Sequence, residues 1–215
     1  TLAALTPNLP VRTTPGPWLA SLRALDARAW AAVDRVRVPV GRLDAAVHRS
    51  GDAALDDAAL GEGRVAFAVC AAVPAGGALL VGNSLPIRLV DRFVRGGGAA
   101  RTVISQRGVN GIDGLVSGAI CGARGLGTPL VALLGDLTTL HDLGALAAAP
   151  RSGPPLVLVV IRNGGGRIFE QLPIGARPDL AFAMPHMVTE AEGSLADVAR
   201  GLGLWAERAL DRGAL

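Results

Sequence analysis

Asp136 and Asn163 are the residues from which chemistry can be built in this 215-residue sequence. Two apolar runs, Pro129–Leu134 and Leu156–Ile161, each end in polar residues: the first in Gly135-Asp136-Leu137, the second in Asn163-Gly164-Gly165-Gly166-Arg167-Ile168-Phe169. The Asp and the Asn lie 27 positions apart. That is about one strand–helix–strand unit, so both can emerge at one edge of a parallel sheet. A carboxylate, an amide oxygen and a backbone carbonyl beside a glycine-rich turn suit a hard cation that carries a phosphate group. A diphosphate and a water would complete the roughly six oxygens that Mg²⁺ prefers. Taken singly, Asp136 reads as a loop cap and Gly164–Gly166 as a flexible turn; the pair carries the signal.

Two further loops share the pattern. In Gly82-Asn83-Ser84-Leu85-Pro86-Ile87-Arg88, Ser84 and Arg88 stand four apart at a helix start and share one face. Free backbone N–H groups, a helix dipole and an arginine make an anion site; the alternative is a cap with a surface arginine. In Gln106-Arg107-Gly108-Val109-Asn110-Gly111-Ile112-Asp113-Gly114, the glycines let the backbone approach a ligand closely. Arg107 can clamp a carboxylate with two bonds. Asp113 is expected to cap the next helix. Ile112 is either a core plug or a wedge beneath a bound ring.

The elements that must position these loops alternate between strand and helix. Strands are expected at Ala78–Val81, Thr102–Ser105, Pro129–Leu134, Leu156–Ile161 and Leu204–Glu207. Helices are expected at Trp18–Val38, Glu62–Val73, Pro86–Arg95, Gly114–Gly125, Asp142–Ala149 and Leu195–Gly203. Residues 1–17, 39–61 and 96–100 read as connector, linker and loop, and Arg177–Glu192 has no periodicity and reads as a mobile segment. Alternation of this kind implies an α/β fold, a doubly wound, mostly parallel sheet with helices on both faces. The expected division is residues 1–60 as the tail of a preceding domain with its linker, and residues 61–215 as the ligand-binding domain, cut short at its end.

Composition narrows the function classes. Half of the residues are hydrophobic, enough for a sizeable core, yet no apolar run nears the roughly 18–20 residues of a membrane span. All 21 basic residues are arginine, they are scattered, and only 3% of residues are aromatic. A nucleic-acid surface built on basic stripes and stacking is therefore not expected. Cys70 and Cys121 are too few for a disulfide framework or a thiolate metal site, which points to a reducing, cytoplasmic setting. His48, His141 and His186 lie in three different segments and form no cluster. No signal peptide is visible, and the chain reads as a piece of something longer.

Together the four loops resemble a known family. Gly135-Asp136 with Asn163 is similar to the cofactor motif of the thiamin diphosphate-dependent decarboxylases and synthases. Added to Gly82-Asn83-Ser84-x-x-x-Arg88, Arg107-Gly108-x-x-Gly111-Ile112-Asp113-Gly114 and Asn163-Gly164-Gly165-Gly166-x-Ile168-Phe169, it resembles the 2-succinyl-5-enolpyruvyl-6-hydroxy-3-cyclohexene-1-carboxylate synthases of menaquinone biosynthesis. The likeness is densest over residues 78–172. Gly164 stands where other thiamin enzymes often have a second Asn, and Leu137 where they often have Gly; this family tolerates both.

The resemblance implies a diphosphate-binding domain and names roles for particular residues. Asp136, Asn163 and the Gly165 carbonyl would hold Mg²⁺ or Mn²⁺. Asn83, Ser84, Gly111, Ile112, Gly135, Asp136, Leu137, Asn163, Ile168 and Leu172 would contact thiamine diphosphate, with Ile112 bending it. Ser84, Arg88 and Arg107 would meet the carboxylates of 2-oxoglutarate and isochorismate, and Ile168, Phe169 and Leu172 would line the pocket. The implied reaction decarboxylates 2-oxoglutarate and joins the remaining succinyl semialdehyde unit to isochorismate, a C–C bond-forming transfer. The family's activating Glu lies in a separate pyrimidine-binding domain supplied by a second subunit of a homodimer or homotetramer. Nothing in this sequence corresponds to that domain, so the chain by itself is expected to be inactive. Two other readings are an acetolactate synthase or 2-oxoacid decarboxylase, against which Asn83-Ser84, Arg88 and Arg107 argue, and a non-catalytic metabolite-binding module. A dinucleotide-binding module would need a glycine-rich turn after its first strand, which Gly82-Asn83-Ser84 does not supply.

Overall fold

The computed structural model describes residues 16–37, 61–95, 102–106, 111–149, 153–190 and 192–209. The Arg107-Gly108-Val109-Asn110 run, His48, the 96–100 loop and nearly all of the expected connector and linker lie outside these residues. The chain divides into two units, Thr1–Val38 and Pro39–Leu215. The first contributes one described helix, α1 (Pro17–Arg37).

The second unit opens with α2 (Glu62–Ala72), β1 (Ala78–Val81) and α3 (Leu85–Phe93), followed by β2 (Thr102–Ile104) and α4 (Leu115–Leu126). Next come β3 (Leu130–Gly135), the short α5 (Asp136–His141), a 3₁₀ turn at Leu143–Ala148 and β4 (Leu156–Ile161). Every strand pair is parallel and the order is β2-β1-β3-β4. Strand side chains alternate between two apolar layers. Leu79, Val81, Val131 and Leu133 face Ala66, Val69 and Cys70 of α2 and Leu85 and Leu89 of α3. Ala78, Leu80, Leu130, Ala132 and Leu134 face Val116, Ala119, Ile120 and Ala123 of α4, with Leu146. This is the doubly wound α/β sheet expected from the alternation. β3 is buried almost throughout, as a central parallel strand must be, while β2 at the edge is largely exposed.

Three expectations need correction. Residues 204–209 carry no regular structure, so the strand expected at Leu204–Glu207 is not formed. No neighbouring strand pairs with this run among the described residues, and an apolar run without a partner ladder has no reason to stay extended. Asp113 does not cap α4. The cap position is Gly114, at φ 69°, a left-handed conformation that glycine adopts without cost. The first turn of α4 is instead closed by a distant residue: Asp142 accepts the Ser117 backbone N–H at 2.6 Å and the Ser117 hydroxyl at 3.0 Å. Finally, the helix expected at Asp142–Ala149 is wound as a 3₁₀ turn over Leu143–Ala148. After 3₁₀ turns at Arg167–Gln171, Pro173–Ala176 and Pro178–Ala183, α6 (Met184–Val188) buries Val188. Each of the last three elements has proline in its first turn, where the missing N–H costs nothing. The final described helix is α7 (Leu195–Gly201), whose Ser194 side chain accepts the Asp197 N–H at 3.2 Å.

Candidate functional site

From β1 the chain moves first to β2 on one side and then, through α4, to β3 on the other. The winding direction reverses between β1 and β3. In an open parallel sheet this switch point leaves a crevice at the carboxyl ends of the strands, where ligands bind. The residues leaving β1 are Gly82-Asn83-Ser84 and the residue leaving β3 is Asp136. Register carries the arrangement one strand further: Gly135 pairs with Ile161, so Asp136 and Asn163 leave adjacent strands one and two residues past a matched pair.

Asp136 is the first residue of α5 and only 2% exposed. A buried carboxylate must be satisfied, and this one is. Its Oδ1 accepts the Leu137 N–H at 2.8 Å, and its Oδ2 accepts the N–H groups of Gly164 at 3.0 Å and Gly165 at 2.9 Å. A carboxylate offers about four lone-pair positions. Three are taken, which leaves one on Oδ1 for a cation. Residues 136–141 read as loop in the sequence but form a helical turn, supported by the Thr139 hydroxyl donating to the Gly135 carbonyl at 2.9 Å.

The turn after β4 is shaped by backbone contacts. Gly164 and Gly165 have φ of 84° and 118°. The Gly166 N–H donates to the Val188 carbonyl at 2.5 Å. A β-carbon on Gly165 would lie 2.6 Å from that carbonyl and 2.7 Å from that of Thr189. The end of α6 therefore presses on the glycine run: position 165 admits only glycine, and a β-carbon at 166 would be tight, 3.1 Å from the Val188 carbonyl. Arg167 closes the turn from the other side: its Nε donates to the Asn163 carbonyl at 3.1 Å and its Nη1 bonds Glu170 at 2.5 Å. The Glu170 hydrogen bond and charge raise the affinity of this guanidinium for its proton still further. Asn163 directs Nδ2 to Glu62 at 2.7 Å, a contact across 101 residues.

At the end of β1, Asn83 is buried and its Nδ2 donates to the Gly111 carbonyl at 2.5 Å and to the Gln106 carbonyl at 3.3 Å. It thereby ties the loops after β1 and β2 together. Ser84 occupies the cap position of α3 without a side-chain cap bond. Its φ of 70° and ψ of −128° are a conformation that side chains avoid. Strain of this kind costs on the order of 1–3 kcal/mol and gathers at functional positions. Arg88 donates from Nη1 to the Ser84 carbonyl at 2.7 Å, so the pair expected to share a face is in contact. Ile112 is half-buried; Arg107 lies outside the described residues.

Ile168 packs against the layer that covers α2 and α3, Phe169 lies half-buried beside Gly166, and Leu172 is 44% exposed. His141 and His186 are both exposed. Among the described residues no three His, Cys, Asp or Glu side chains gather as metal ligands. The available donor set is one carboxylate, one amide oxygen and backbone carbonyls, which fits a hard divalent ion and not zinc. Among the described residues no helix is long and apolar enough to cross a membrane. Three contributors escaped the sequence reading. Glu62 appeared only as a helix start, and Val188 and Thr189 act through backbone atoms that no side-chain pattern signals.

Comparison with known proteins gives this geometry a family. No family profile matches the chain. A 2-succinyl-5-enolpyruvyl-6-hydroxy-3-cyclohexene-1-carboxylate synthase of Sorangium cellulosum is 42% identical over 198 residues, covering 79% of this chain and 32% of that protein. The synthase of the same name from Roseiflexus is 35% identical over 189 residues, 86% of this chain and 29% of that protein. An X-ray structure from Mycobacterium smegmatis, named as a thiamin diphosphate-dependent enzyme, aligns at a TM-score of 0.49 and 18% identity over 69% of this chain and 27% of that one, too slight a likeness to add to the assignment. The chain spans about a third of the length of the curated relatives it matches. Over that stretch, it belongs to the family of 2-succinyl-5-enolpyruvyl-6-hydroxy-3-cyclohexene-1-carboxylate synthases.

Proposed function

We propose that this chain is the diphosphate-binding part of a thiamine diphosphate-dependent synthase, and that Asp136, Asn163 and the Gly165 carbonyl hold its Mg²⁺ or Mn²⁺. The observation that carries the reading is the Asp136 carboxylate at the switch point. It grips the Gly164 and Gly165 N–H groups with Oδ2 and keeps one lone pair of Oδ1 in reserve. Asn163 adds a neutral oxygen, so the site can balance a dication against a diphosphate without excess negative charge.

The substrates we assign are 2-oxoglutarate and isochorismate, joined with loss of CO₂ to give 2-succinyl-5-enolpyruvyl-6-hydroxy-3-cyclohexene-1-carboxylate for menaquinone biosynthesis. When bound, thiamine diphosphate supplies the electron sink that a 2-oxo acid needs to lose CO₂. The chain supplies position and charge. Arg88, anchored through one Nη1 bond to the Ser84 carbonyl, has further N–H groups for a substrate carboxylate; Arg107 joins it in the same role. Arginine suits polycarboxylate substrates because its planar fork matches a carboxylate and stays charged at all working pH values. Ser84 offers its hydroxyl from the strained corner. Ile112 supports the cofactor ring, while Ile168, Phe169 and Leu172 exclude water beside it. Gly111 and Asn83 hold the loop close, and Gly135 and Leu137 flank the carboxylate.

Turnover in this reading needs a pyrimidine-binding domain from a second subunit, in a cytoplasmic homodimer or homotetramer, and the 215-residue chain by itself binds without turning over. Calorimetric titration with Mg²⁺ and thiamine diphosphate, with NAD as control, tests the reading. Binding of the first pair only is expected, and Asp136→Ala should weaken it at least ~100-fold. Equal binding of NAD, or an Asp136→Ala variant that binds as wild type does, would sink it.

A further inference from the structure

Glu62 stands in α2, an element that none of the cofactor motifs includes. Its carboxylate nevertheless reaches the loop after β4 and accepts Asn163 Nδ2 at 2.7 Å. The backbone beneath it is held closely. Gly63 lies where a β-carbon would come within 2.7 Å of the Phe93 ring at the end of α3, so the start of α2 seats directly on that ring. Ala66, Val69 and Cys70 then fix the rest of the helix against the sheet.

The chemistry of the pair is one-directional. The two ends of an asparagine amide are hard to tell apart by shape. A carboxylate, however, only accepts, so the end that faces Glu62 must be the NH₂. Oδ1 then points away from Glu62, and among the described residues no donor meets it. A negative charge against the N–H also draws electron density toward that oxygen, as carboxylates do behind metal-bound histidines. The first turn of a helix favours a carboxylate there.

We infer that Glu62 is a positioning residue: it fixes the orientation of the Asn163 amide so that Oδ1, and not Nδ2, is presented to the divalent cation. This rests on the cation site proposed above, and it adds a residue that the site's own loops do not contain. Its consequence is that cation affinity depends on a side chain 101 residues from the ligand it aims.

The test is Mn²⁺ binding to the native protein in the presence of thiamine diphosphate, followed by the electron paramagnetic resonance signal of free Mn²⁺. Glu62→Ala is expected to weaken Mn²⁺ about 10–100-fold, and Glu62→Gln, whose amide can accept or donate and so no longer forces the orientation, to fall between Glu62→Ala and wild type. In an Asn163→Ala background, Glu62→Ala should cause no further loss. Thermal unfolding without the ion should leave Glu62→Ala close to wild type, which separates aiming from a general collapse of α2. A Glu62→Ala protein that binds Mn²⁺ as wild type does overturns the inference while the cation site stands. The same loss in both Asn163 backgrounds also overturns it. Failure of the wild type to bind, or binding untouched by Asp136→Ala, removes the cation site and this inference with it.

Discussion

Gly165 lies directly beneath the carbonyl of Val188: a β-carbon at position 165 would stand 2.6 Å from that oxygen. No side chain can relieve the clash, because the opposing atom is backbone. Gly165→Ala is therefore expected to cost about 3 kcal/mol, from a φ of 118° together with displacement of α6. Gly164→Ala has a φ of 84° but would meet only the end of the Arg167 side chain, and should cost about 1 kcal/mol. Urea midpoints of the two variants make the comparison. Equal losses would mean that α6 does not press on the turn.

Ser84 gives a prediction of the opposite sign. At φ 70° and ψ −128°, the position asks for glycine. Ser84→Gly should raise stability by about 1 kcal/mol while removing the hydroxyl from the site, and Ser84→Ala should keep the strain and change stability little. The Arg88 anchor is the backbone carbonyl of residue 84 and survives both changes. A stabilised protein with weakened substrate binding is the expected signature; a destabilised Ser84→Gly would show that the strain is not stored there.

The two cysteines should separate cleanly by reactivity. Cys121 is exposed on α4, whereas Cys70 is buried in α2 and its burial pushes the thiol pKa up. The thiolate is the reactive form, so Cys70 is doubly protected, by its burial and by the raised pKa of its thiol. A thiol reagent at pH 8 should modify one cysteine quickly in the native protein and both after denaturation. Fast modification of both would contradict the packing of α2 on the sheet.

Much of this fold was legible because β1, β3 and β4 are short apolar runs with glycine or proline at their ends, and the helices repeat an apolar face. The loops at the carboxyl edge were legible for a related reason: Asp136, Asn163 and Ser84 each follow such a run, and Arg88 stands one helical turn past Ser84. What failed to show depends on contacts distant in sequence. The helical turn at Asp136–His141 has two threonines and only six residues, too little for local preference to declare itself. Asp113 has the residue type of a cap, but Gly114 has the required backbone conformation. Glu62 reads as a favourable charge at a helix start until the chain brings Asn163 to it. Residues 177–192 lack periodicity because 3₁₀ turns and a five-residue helix do not span enough turns to repeat.

The clasp between Asp142 and Ser117 has a consequence for the order of assembly. Helix α4 precedes β3 in the chain, yet the acceptor for its Ser117 N–H arrives only after β3 has been laid down and α5 has turned back. The middle of α4, with Gly118 and Gly122, has little local helix propensity and forms as Ala119 and Ala123 pack on the sheet, while its first turn stays frayed until the sheet's central pairing is in place. Mutations at Ser117 should then speed unfolding and leave the folding rate nearly untouched, while mutations at Ala119 or Ala123 slow folding. The ligand crevice is finished only when the chain has already committed to its sheet.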